Sequence, residues 1–334
     1  MRAIIPTAGM GSRLRPFTHT VPKVLLQVAD KPILGHILDK LIAIGVRHVT
    51  FVVGYLGDHI ESYVQTFYPH LETAFVEQAE PRGLGHAIHL TAPTHRDCDE
   101  PILIILGDTI IDVDLDLLGQ ADTDLIGVCE VQNPSRFGVV ELDGDNRISA
   151  MVEKPETPPS NLAIVGIYYL RQPAALYEAL DANIREGRLT RGEIQLTDAL
   201  QRMIESGIPM CAFKVSGWHD CGKPESLLQT NHALLQQRFQ TLSMDVLKHF
   251  PSVRFRPPVF VAPTAHLAES IIGPNVTIAD GARVTQSIVQ NSIINQGAQV
   301  ENVILSNSII GNDAQVREKA LRLYVGDKSE VLFD

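Results

Sequence analysis

Apolar runs and amphipathic stretches alternate along the first 130 residues. The apolar runs are rich in β-branched residues and lack polar alternation, which is typical of parallel strands buried on both faces of a sheet. They are "AIIP" at 3, "HVTFVVG" at 48, "ILIILGD" at 102 and "DLIGVCEV" at 124. Between the first two, "ILGHILDKLIAIG" has apolar residues at helical spacing and ends at Gly45, a residue suited to a left-handed cap. This order predicts a doubly wound α/β sheet, with ligands at the carboxyl ends of its strands.

From about residue 138 the pattern becomes that of a hairpin. The stretch "FGVVELDGDNRISAMVEKP" contains two apolar runs joined by an Asp-Gly turn, so we expect antiparallel strands that make the sheet a mixed, Rossmann-like one. A helical, Gln-rich stretch from 225 to about 241 leaves this domain. We therefore predict a first domain at residues 1–240 and a linker at 241–258.

The last quarter of the chain contains an internal repeat. Residues 287–302, "SIVQNSIINQGAQVEN", match residues 303–318, "VILSNSIIGNDAQVRE", at eight of sixteen positions. Aliphatic residues recur there in steps of five or six, which suits three short strands per coil of a triangular β-solenoid. These positions are Ile272, Ile278, Val284, Val289, Ile294, Val300, Leu305, Ile310 and Val316. We predict about four coils in residues 259–334, similar to a left-handed parallel β-helix, since an antiparallel sandwich would show strict alternation.

Composition and charge restrict the partners. The net charge of −11 argues against a nucleic-acid or anionic-membrane surface, because such partners select basic faces. The four cysteines have no CxxC spacing, which argues against a zinc site or a disulfide framework. The N-terminus begins directly with a strand, and no apolar run reaches membrane-spanning length. We expect a cytoplasmic protein that binds small molecules.

The loop "PTAGMGSRLRPFTHTVPK" at 6 to 23 follows the first strand. Gly9 and Gly11 would let backbone N–H groups approach a phosphate chain, and Arg13 and Lys23 would add charge. It is neither a GxxxxGK[ST] loop nor a GxGxxG fingerprint, because Leu14 stands where the third glycine should be. By itself such a loop could also be a structural turn.

The whole segment 8–33 resembles the sugar-nucleotide pyrophosphorylases, a nucleotidyltransferase family whose signature joins a Gly-rich loop, Arg-Leu, a proline and a later Pro-Lys. The similarity continues through "EQAEPRGLGHAI" at 77, "LGD" at 106, "NPSRFGVVE" at 133, "EKP" at 153, "SNLAIVGIYYL" at 160, "RGEIQLTDAL" at 191 and "GWHDCGKPESLLQTN" at 217. It is similar above all to the long-form glucose-1-phosphate thymidylyltransferases, which carry a left-handed β-helix after the catalytic domain. The repeat described above agrees with that.

The resemblance implies a set of site residues, which we treat as expectations. Arg13, Lys23 and Asp108 would be catalytic, and Asp108 and Asp220 would bind Mg²⁺. The nucleotide would contact Ala8, Gly9, Gly11, Ser12, Arg13, Gln78 and Gly83. The sugar phosphate would contact Gly138, Glu153, Lys154, Gly166 and Tyr168. Tyr168 and also Arg191 could equally be packing or surface residues.

Several roles stay open at this point. The Gln78 amide can pair with a donor and an acceptor on a pyrimidine edge, but a single methyl group separates thymine from uracil. Cys221 stands where many relatives have Thr. His86 and His219 are expected to be packing residues or to support the residues that contact the ligands. Arg15 could be a structural partner, and Gln27 has no assigned role.

The expected reaction joins a sugar 1-phosphate to a pyrimidine nucleoside triphosphate and releases pyrophosphate. The first choice is dTTP with glucose 1-phosphate; the alternatives are UTP, or a regulatory paralogue that binds sugar nucleotide without turnover. Such paralogues lose loop cations or metal carboxylates, whereas Arg13, Lys23, Asp108 and Asp220 are all present. An acyltransferase role for the β-helix is disfavoured, since His266 is its one clear histidine. A homo-oligomer is expected, because exposed solenoid ends favour self-association.

Overall fold

The computed structural model describes residues 1–318 and divides into two compact units, Met1–Thr230 and Asn231–Asp334. Residues 319–334 of the predicted β-helix lie outside the described part. No helix in the described part is long and apolar enough to cross a membrane.

The first unit contains thirteen strands and most of the helices. The strands are β1 Arg2–Pro6, β2 Gln27–Val28, β3 Lys31–Pro32, β4 His48–Val53, β5 Glu72–Glu77, β6 Ile102–Ile105, β7 Thr109–Asp112, β8 Asp124–Glu130, β9 Gly138–Leu142, β10 Ile148–Glu153, β11 Leu162–Leu170, β12 Met210–Lys214 and β13 Gly217–Asp220. The helices are α1 Ile33–Ala43, α2 Gly57–Phe67, α3 Leu84–His89, α4 Ala92–His95, α5 Pro173–Arg185 and α6 Leu196–Glu205. Helix α7 Pro224–Arg238 begins in this unit and ends beyond Thr230. Short 3₁₀ turns occupy Ser12–Leu14, Phe17–His19, Lys23–Leu25, Leu115–Gln120 and Pro134–Arg136.

The main sheet of this unit has nine strands. Its path is β10-β9-β11-β6-β1-β4-β5, with β8 paired to β11 and β12. Strands β6, β1, β4 and β5 are parallel, whereas β11 is antiparallel to β6, β8 and β9. The mixed, doubly wound sheet predicted from the apolar runs is confirmed.

The apolar pattern of the strands is explained by their burial. Ile4, Ile102 and Ile104 in the central strands are fully buried, and so is Phe51 in β4. Parallel strands covered by helices on both faces need apolar side chains in both directions. Helix α1 ends as predicted, since Gly45 has φ +82° and its N–H bonds the Ile42 carbonyl.

The second unit contains a solenoid. After the short helix α8 Met244–His249 come β14 Arg254–Phe255, β15 Val259–Val261, β16 His266–Ala268, β17 Ile271–Ile272, β18 Val276–Ile278, β19 Arg283–Thr285, β20 Ile288–Gln290, β21 Ile293–Ile294, β22 Gln299–Glu301, β23 Ile304–Ser306, β24 Ile309–Ile310 and β25 Gln315–Arg317. They form three parallel sheets of four strands each, one strand from every coil. Within residues 254–317, this is the predicted left-handed β-helix, with four coils.

The register explains the repeat in the sequence. Ile288 pairs with Ile304 and Ile294 with Ile310, so each residue of the repeat lies above its counterpart in the next coil. The inward positions form the core of this unit; Ile272, Val289 and Ile294 are fully buried there.

The solenoid begins earlier in the structure than the range predicted from the sequence. Strand β14 pairs Arg254 with Ile271 and Phe255 with Ile272, so the first rung lies inside residues 241–258, which the sequence assigned to a linker together with α8. The aliphatic spacing missed this rung, because Phe255 takes the inward position there. The border of the compact units falls at Thr230, inside α7, rather than at 240.

Candidate active site

Three parallel strands end close together at one edge of the main sheet. Ala8, which follows β1, lies close to Gly54, which follows β4. A Cβ added to Gly54 would be 2.9 Å from the Ala8 carbonyl oxygen. Gly107, which follows β6, is equally close to Thr7, since a Cβ added to Gly107 would be 2.9 Å from Cγ2 of Thr7. The two glycines therefore let three strand ends converge where ligands of such sheets bind.

The loop after β1 leaves its backbone open. A Cβ on Gly9 would have no atom within 4 Å, and Gly11 takes a left-handed conformation with φ +59°. Gly11 packs on Thr18, whose hydroxyl donates to the Gly11 carbonyl over 2.9 Å. Ser12 follows as the exposed first residue of a 3₁₀ turn. The loop thus has an open approach to its backbone, as a phosphate chain requires.

Lys23 and Asp108 form an ion pair within this site. The ammonium of Lys23 donates to Oδ2 of Asp108, and the Lys23 residue is buried. Burial by itself would raise the pKa of Asp108, but the charge and hydrogen bond of Lys23 hold that pKa below its usual range. Asp108 is therefore a carboxylate at neutral pH.

A short two-stranded sheet brings Asp220 beside Asp108. Strand β13 runs antiparallel to β7, with Asp220 opposite Thr109, the residue after Asp108. The backbone N–H of Cys221 donates to the Asp108 carbonyl over 3.1 Å. The ladder thus places the backbone of Asp220 and Cys221 next to that of Thr109 and Asp108.

The side chains of Arg13 and Asp220 lie next to the same glycine, Gly222. A Cβ on Gly222 would be 3.0 Å from Nη2 of Arg13 and 2.8 Å from Oδ1 of Asp220, so both side chains flank this glycine. Neither Arg13 nor Arg15 forms a hydrogen bond or ion pair through its side chain with residues 1–318, and both are exposed. Their charges are free to bind an anion.

The donor set fits a magnesium ion. Within residues 1–318, no group of three or more His, Cys, Asp and Glu side chains could hold a metal. Mg²⁺ commonly binds through one or two carboxylates and completes its shell with water and substrate phosphates. Asp108 and Asp220 supply that number of carboxylates next to the phosphate loop.

Cys221 is a packing residue in the structure. It is fully buried, its thiol contacts the Thr230 hydroxyl at 3.7 Å, and burial raises its pKa to about 12. A thiol with such a pKa is protonated and unreactive at neutral pH. The neighbouring His219 is affected in the opposite direction, since burial lowers its pKa.

A cavity of about 220 Å³ opens beside the loop after β1. Four of the residues predicted to bind the nucleotide line it: Ala8, Gly9, Gln78 and Gly83. Its other lining residues are Pro6, Pro81, Leu84, Ala87 and Glu193. The cavity is thus mostly apolar with one amide and one carboxylate, a composition suited to a heterocyclic base.

Gln78 is held firmly at the cavity wall. Its backbone N–H donates to the Val53 carbonyl over 2.7 Å, and its side chain is buried. The amide nitrogen Nε2 lies 3.2 Å from the Gly83 carbonyl oxygen and 3.1 Å from Nδ1 of His86. Gly83 has φ +104°, and a Cβ there would lie 2.5 Å from the Ile194 carbonyl oxygen. Only glycine fits that position.

Glu153 is the centre of a second polar group. It lies at the end of β10 opposite Gly138, whose Cβ would be 3.0 Å from Oε2. The Thr197 hydroxyl donates to Oε2 over 2.7 Å, and the Lys154 ammonium is 3.2 Å from Oε1. Lys154 has a left-handed backbone with φ +42°, and its carbonyl accepts a hydrogen bond from Arg191. The structure thus groups three of the five predicted sugar-phosphate residues.

Tyr168 and Gly166 lie in β11. Burial, with the Glu153 carboxylate nearby, raises the pKa of Tyr168, so its phenol stays protonated. Gly166 packs against Leu106, since a Cβ would lie 2.6 Å from Cδ1, and its carbonyl accepts the Leu106 N–H. The contacts of Gly166 are therefore those of a packing residue.

Several residues of this site were not found from the sequence. Thr197 and Glu193 lie in the motif "RGEIQLTDAL", and Gly54 and Gly107 end the runs "HVTFVVG" and "ILIILGD" or lie next to their ends, but the sequence assigns no role to these four residues. A Thr one residue into a helix gives no signal of a distant carboxylate partner. Gln27, unassigned before, bonds the Ala29 carbonyl through its amide and is structural.

Comparison with known proteins identifies the family. The model of the family described as nucleotidyl transferase matches residues 2–237. The chain belongs to the nucleotidyl transferase family. A glucose-1-phosphate thymidylyltransferase of Streptomyces antibioticus is 31% identical over 316 residues, which cover 88% of this chain and 87% of the relative.

Other relatives match a little over seven-tenths of this chain. The UTP–glucose-1-phosphate uridylyltransferase AglF of Haloferax volcanii is 32% identical and covers 72% of this chain and 99% of its own length. A solved UDP-glucose pyrophosphorylase complexed with UDP-glucose superimposes with a TM-score of 0.61 at 26% identity, over 71% of this chain and 99% of that one. The motif resemblance to sugar-nucleotide nucleotidyltransferases is confirmed.

Proposed function

We propose that this nucleotidyltransferase forms dTDP-glucose and pyrophosphate from dTTP and glucose 1-phosphate. The observation that supports the reaction is the convergence of Arg13, Lys23, Asp108 and Asp220 beside an open glycine loop. Two cations and two carboxylates at the ends of a parallel sheet match the needs of a triphosphate and a divalent ion.

The main barrier to this reaction is repulsion between two anions. The nucleophile is a phosphate oxygen of the sugar phosphate, which is ionised at neutral pH and needs no protein base. It attacks the α-phosphorus in line; the new P–O bond forms as the bond to the β-phosphate oxygen breaks, and pyrophosphate leaves. Catalysis then consists of positioning and charge stabilisation.

The chain's own groups supply both. Backbone N–H groups near Gly9 and Gly11 and the free guanidinium of Arg13 bind triphosphate oxygens. Lys23 keeps Asp108 ionised and oriented. Mg²⁺ held by Asp108 and Asp220 would neutralise charge on the phosphate oxygens.

The Glu153 group receives the sugar phosphate. An ionised carboxylate accepts hydrogen bonds and donates none, so Glu153 suits the hydroxyl groups of a sugar. Lys154 lies beside it and balances the charge of the phosphate. Thr197 and Lys154 fix the carboxylate from two sides. The acceptor would thus be oriented before it meets the nucleotide.

The choice of dTTP is supported by the extent of the match. Two Streptomyces glucose-1-phosphate thymidylyltransferases align with 88% of this chain, including residues of the β-helix. UTP is the second candidate, because the Haloferax uridylyltransferase matches the catalytic unit at similar identity. A cytoplasmic location and self-association stay predictions.

Pyrophosphate release tests the proposal. The purified chain is mixed with Mg²⁺, glucose 1-phosphate and each of dTTP, UTP, CTP and dCTP. Release fastest with dTTP is expected, and Asp108→Asn and Arg13→Ala should each lower kcat by orders of magnitude at unchanged melting temperature. Release fastest with UTP would replace the thymidylyl by the uridylyl assignment. No release with any pair of substrates, including other sugar 1-phosphates, would support a regulatory paralogue instead.

A further inference from the structure

The amide of Gln78 has a defined orientation in the nucleotide cavity. The Gly83 carbonyl, 3.2 Å away, can only accept a hydrogen bond, so the amide atom that faces it must be the nitrogen Nε2. An amide rotated by half a turn would place two oxygens against each other.

The second N–H of this amide is also used within the protein. Nδ1 of His86 lies 3.1 Å from the same Nε2. For this contact to be a hydrogen bond, Nδ1 must carry a lone pair, so the imidazole is neutral with its hydrogen on Nε2. Both hydrogens of the Gln78 amide then have acceptors, Gly83 and His86.

The oxygen of the amide is left for a ligand. Oε1 of Gln78 accepts no hydrogen bond from any residue in the range 1–318. It is not one of the buried side-chain atoms without a partner, so it is open to solvent or a ligand. Gln78 therefore offers one acceptor to the cavity rather than the donor and acceptor expected from the sequence. A base that meets it must bring an N–H group.

We propose that His86 is a positioning residue for nucleobase recognition: by accepting the second N–H of Gln78, it presents only Oε1 to the base. This rests on the proposed nucleotidyl transfer. Thymine and uracil carry a hydrogen on ring nitrogen N3 and can donate to Oε1, whereas cytosine has a lone pair at N3. His86 thereby favours dTTP and UTP over the cytosine nucleotides.

The electrostatics of the site keep His86 neutral. Burial, followed by the charge of Arg82, lowers the pKa of His86 below its ordinary value. A protonated Nδ1 would point its hydrogen at the N–H of Gln78, and the hydrogen bond between the two side chains would be lost. The charged or titratable groups that act on the imidazole are Glu80, Arg82 and His89. Glu193 lies on the wall of the cavity that Gln78 lines.

Two substitutions separate positioning from packing. His86→Leu keeps a side chain of similar size but removes the acceptor, so the second N–H of the Gln78 amide is left without a partner and Gly83 alone holds the amide. His86→Asn places an oxygen near the position of Nδ1, accepts the same hydrogen bond and does not titrate. Both keep a side chain at this position of α3.

The experiment compares kcat and KM for dTTP, UTP, dCTP and CTP between pH 5 and 8. His86→Leu should raise KM for dTTP and lower the dTTP over dCTP ratio of kcat/KM by about three- to tenfold, the worth of one neutral hydrogen bond. His86→Asn should retain the wild-type ratio at pH 8. As the pH falls through the pKa of His86, KM should rise for the wild type more than for His86→Asn.

The outcomes separate this inference from the proposed function. An active enzyme in which His86→Leu leaves the base preference unchanged, or in which His86→Asn and the wild type share one KM profile with pH, would overturn the role of His86. No turnover by the wild type with any nucleotide would overturn the proposed reaction. In that case calorimetric binding of dTTP and dCTP to the three proteins tests His86 alone, with the same expected order of affinities.

Discussion

The hydroxyl of Thr197 donates a hydrogen bond to Oε2 of Glu153 over 2.7 Å. The donor lies in the first turn of α6 and the acceptor at the end of β10, so the contact joins two elements that are distant in the chain. Lys154 holds the other carboxylate oxygen at 3.2 Å. The direction of the Glu153 carboxylate is therefore set by the protein before any sugar binds.

Removal of that hydroxyl should weaken acceptor binding. Thr197→Val keeps the shape of the buried side chain but leaves Oε2 with no donor from α6. A hydrogen bond to a charged group contributes about 1.5–3 kcal/mol, so KM for the sugar phosphate should rise roughly tenfold or more. The measurement is initial-rate kinetics with the nucleotide held at saturation, and KM for the nucleotide should stay constant. Thr197→Ser, which keeps the hydroxyl, is the matched control; equal KM values for the Val and Ser variants would contradict this role.

Gly222 should be intolerant of a side chain for a catalytic rather than a folding reason. A Cβ there would lie 2.8 Å from Asp220 and 3.0 Å from Arg13, and the backbone is not in the left-handed region. Gly222→Ala should displace these two groups and lower kcat by about 10²-fold, as small misplacements of reacting groups do. Thermal unfolding should show little change.

Gly144 provides the comparison for Gly222. It lies in the exposed turn between β9 and β10 with nothing within 4 Å of a Cβ. Gly144→Ala should retain wild-type kcat. A Gly222→Ala protein with full turnover would show that Arg13 and Asp220 do not act where the structure has them.

A side chain at Gly9 should weaken nucleotide binding without destabilising the fold. No protein atom lies within 4 Å of its Cβ position, so Gly9→Ala should fold normally and could gain about 0.4–1 kcal/mol of stability through the unfolded state. The added methyl group would stand where the triphosphate approaches the loop. Loss of one charged hydrogen bond there predicts a nucleotide KM about tenfold higher. Combined melting and kinetic measurements check this; a destabilised protein with normal KM would contradict it.

His95 should make the folding stability depend on pH. It is buried with Nε2 2.8 Å from the Thr50 hydroxyl, and burial lowers its pKa from 6.5 to about 4. Between these values the unfolded chain binds a proton that the folded chain does not. Stability from this group is complete above pH 6.5 and decreases as the pH falls towards 4, by about 3 kcal/mol.

Urea unfolding at pH 7, 6, 5 and 4.5 measures this dependence. His95→Gln keeps a hydrogen-bonding partner for Thr50 but cannot titrate in this range, so the difference in unfolding free energy between wild type and variant should shrink or reverse as the pH falls. A constant difference at all four values would mean that the imidazole is not kept neutral by burial.

The sequence predicted the architecture well because both units repeat a simple pattern. Apolar runs such as "ILIILGD" are typical of strands buried on both faces of a sheet, and the steps between Val289, Ile294 and Val300 suit a coil with three faces. The first rung escaped notice because Phe255 replaces the aliphatic residue. The aliphatic spacing recurs in the later coils, whereas the first coil has a different residue at the inward position.

The candidate site was predictable only where a local motif existed. Arg13 and Lys23 lie in one long signature, and Asp108 follows a strand. The contact of Thr197 with Glu153 and of His86 with Gln78 depends on how separate segments meet, which spacing does not encode. The sequence leaves open whether His86 packs or supports a residue that contacts the ligand, and the position of Nδ1 relative to the Gln78 amide favours the second role.

The ladder between β7 and β13 also limits how this protein can change during evolution. Because Asp220 is placed by pairing with Thr109, loops inserted between the two strands alter the length of the chain without moving either carboxylate. A single residue inserted within β13 would instead turn Asp220 to the opposite face of the ladder. Length variation among relatives should therefore collect outside these eight residues.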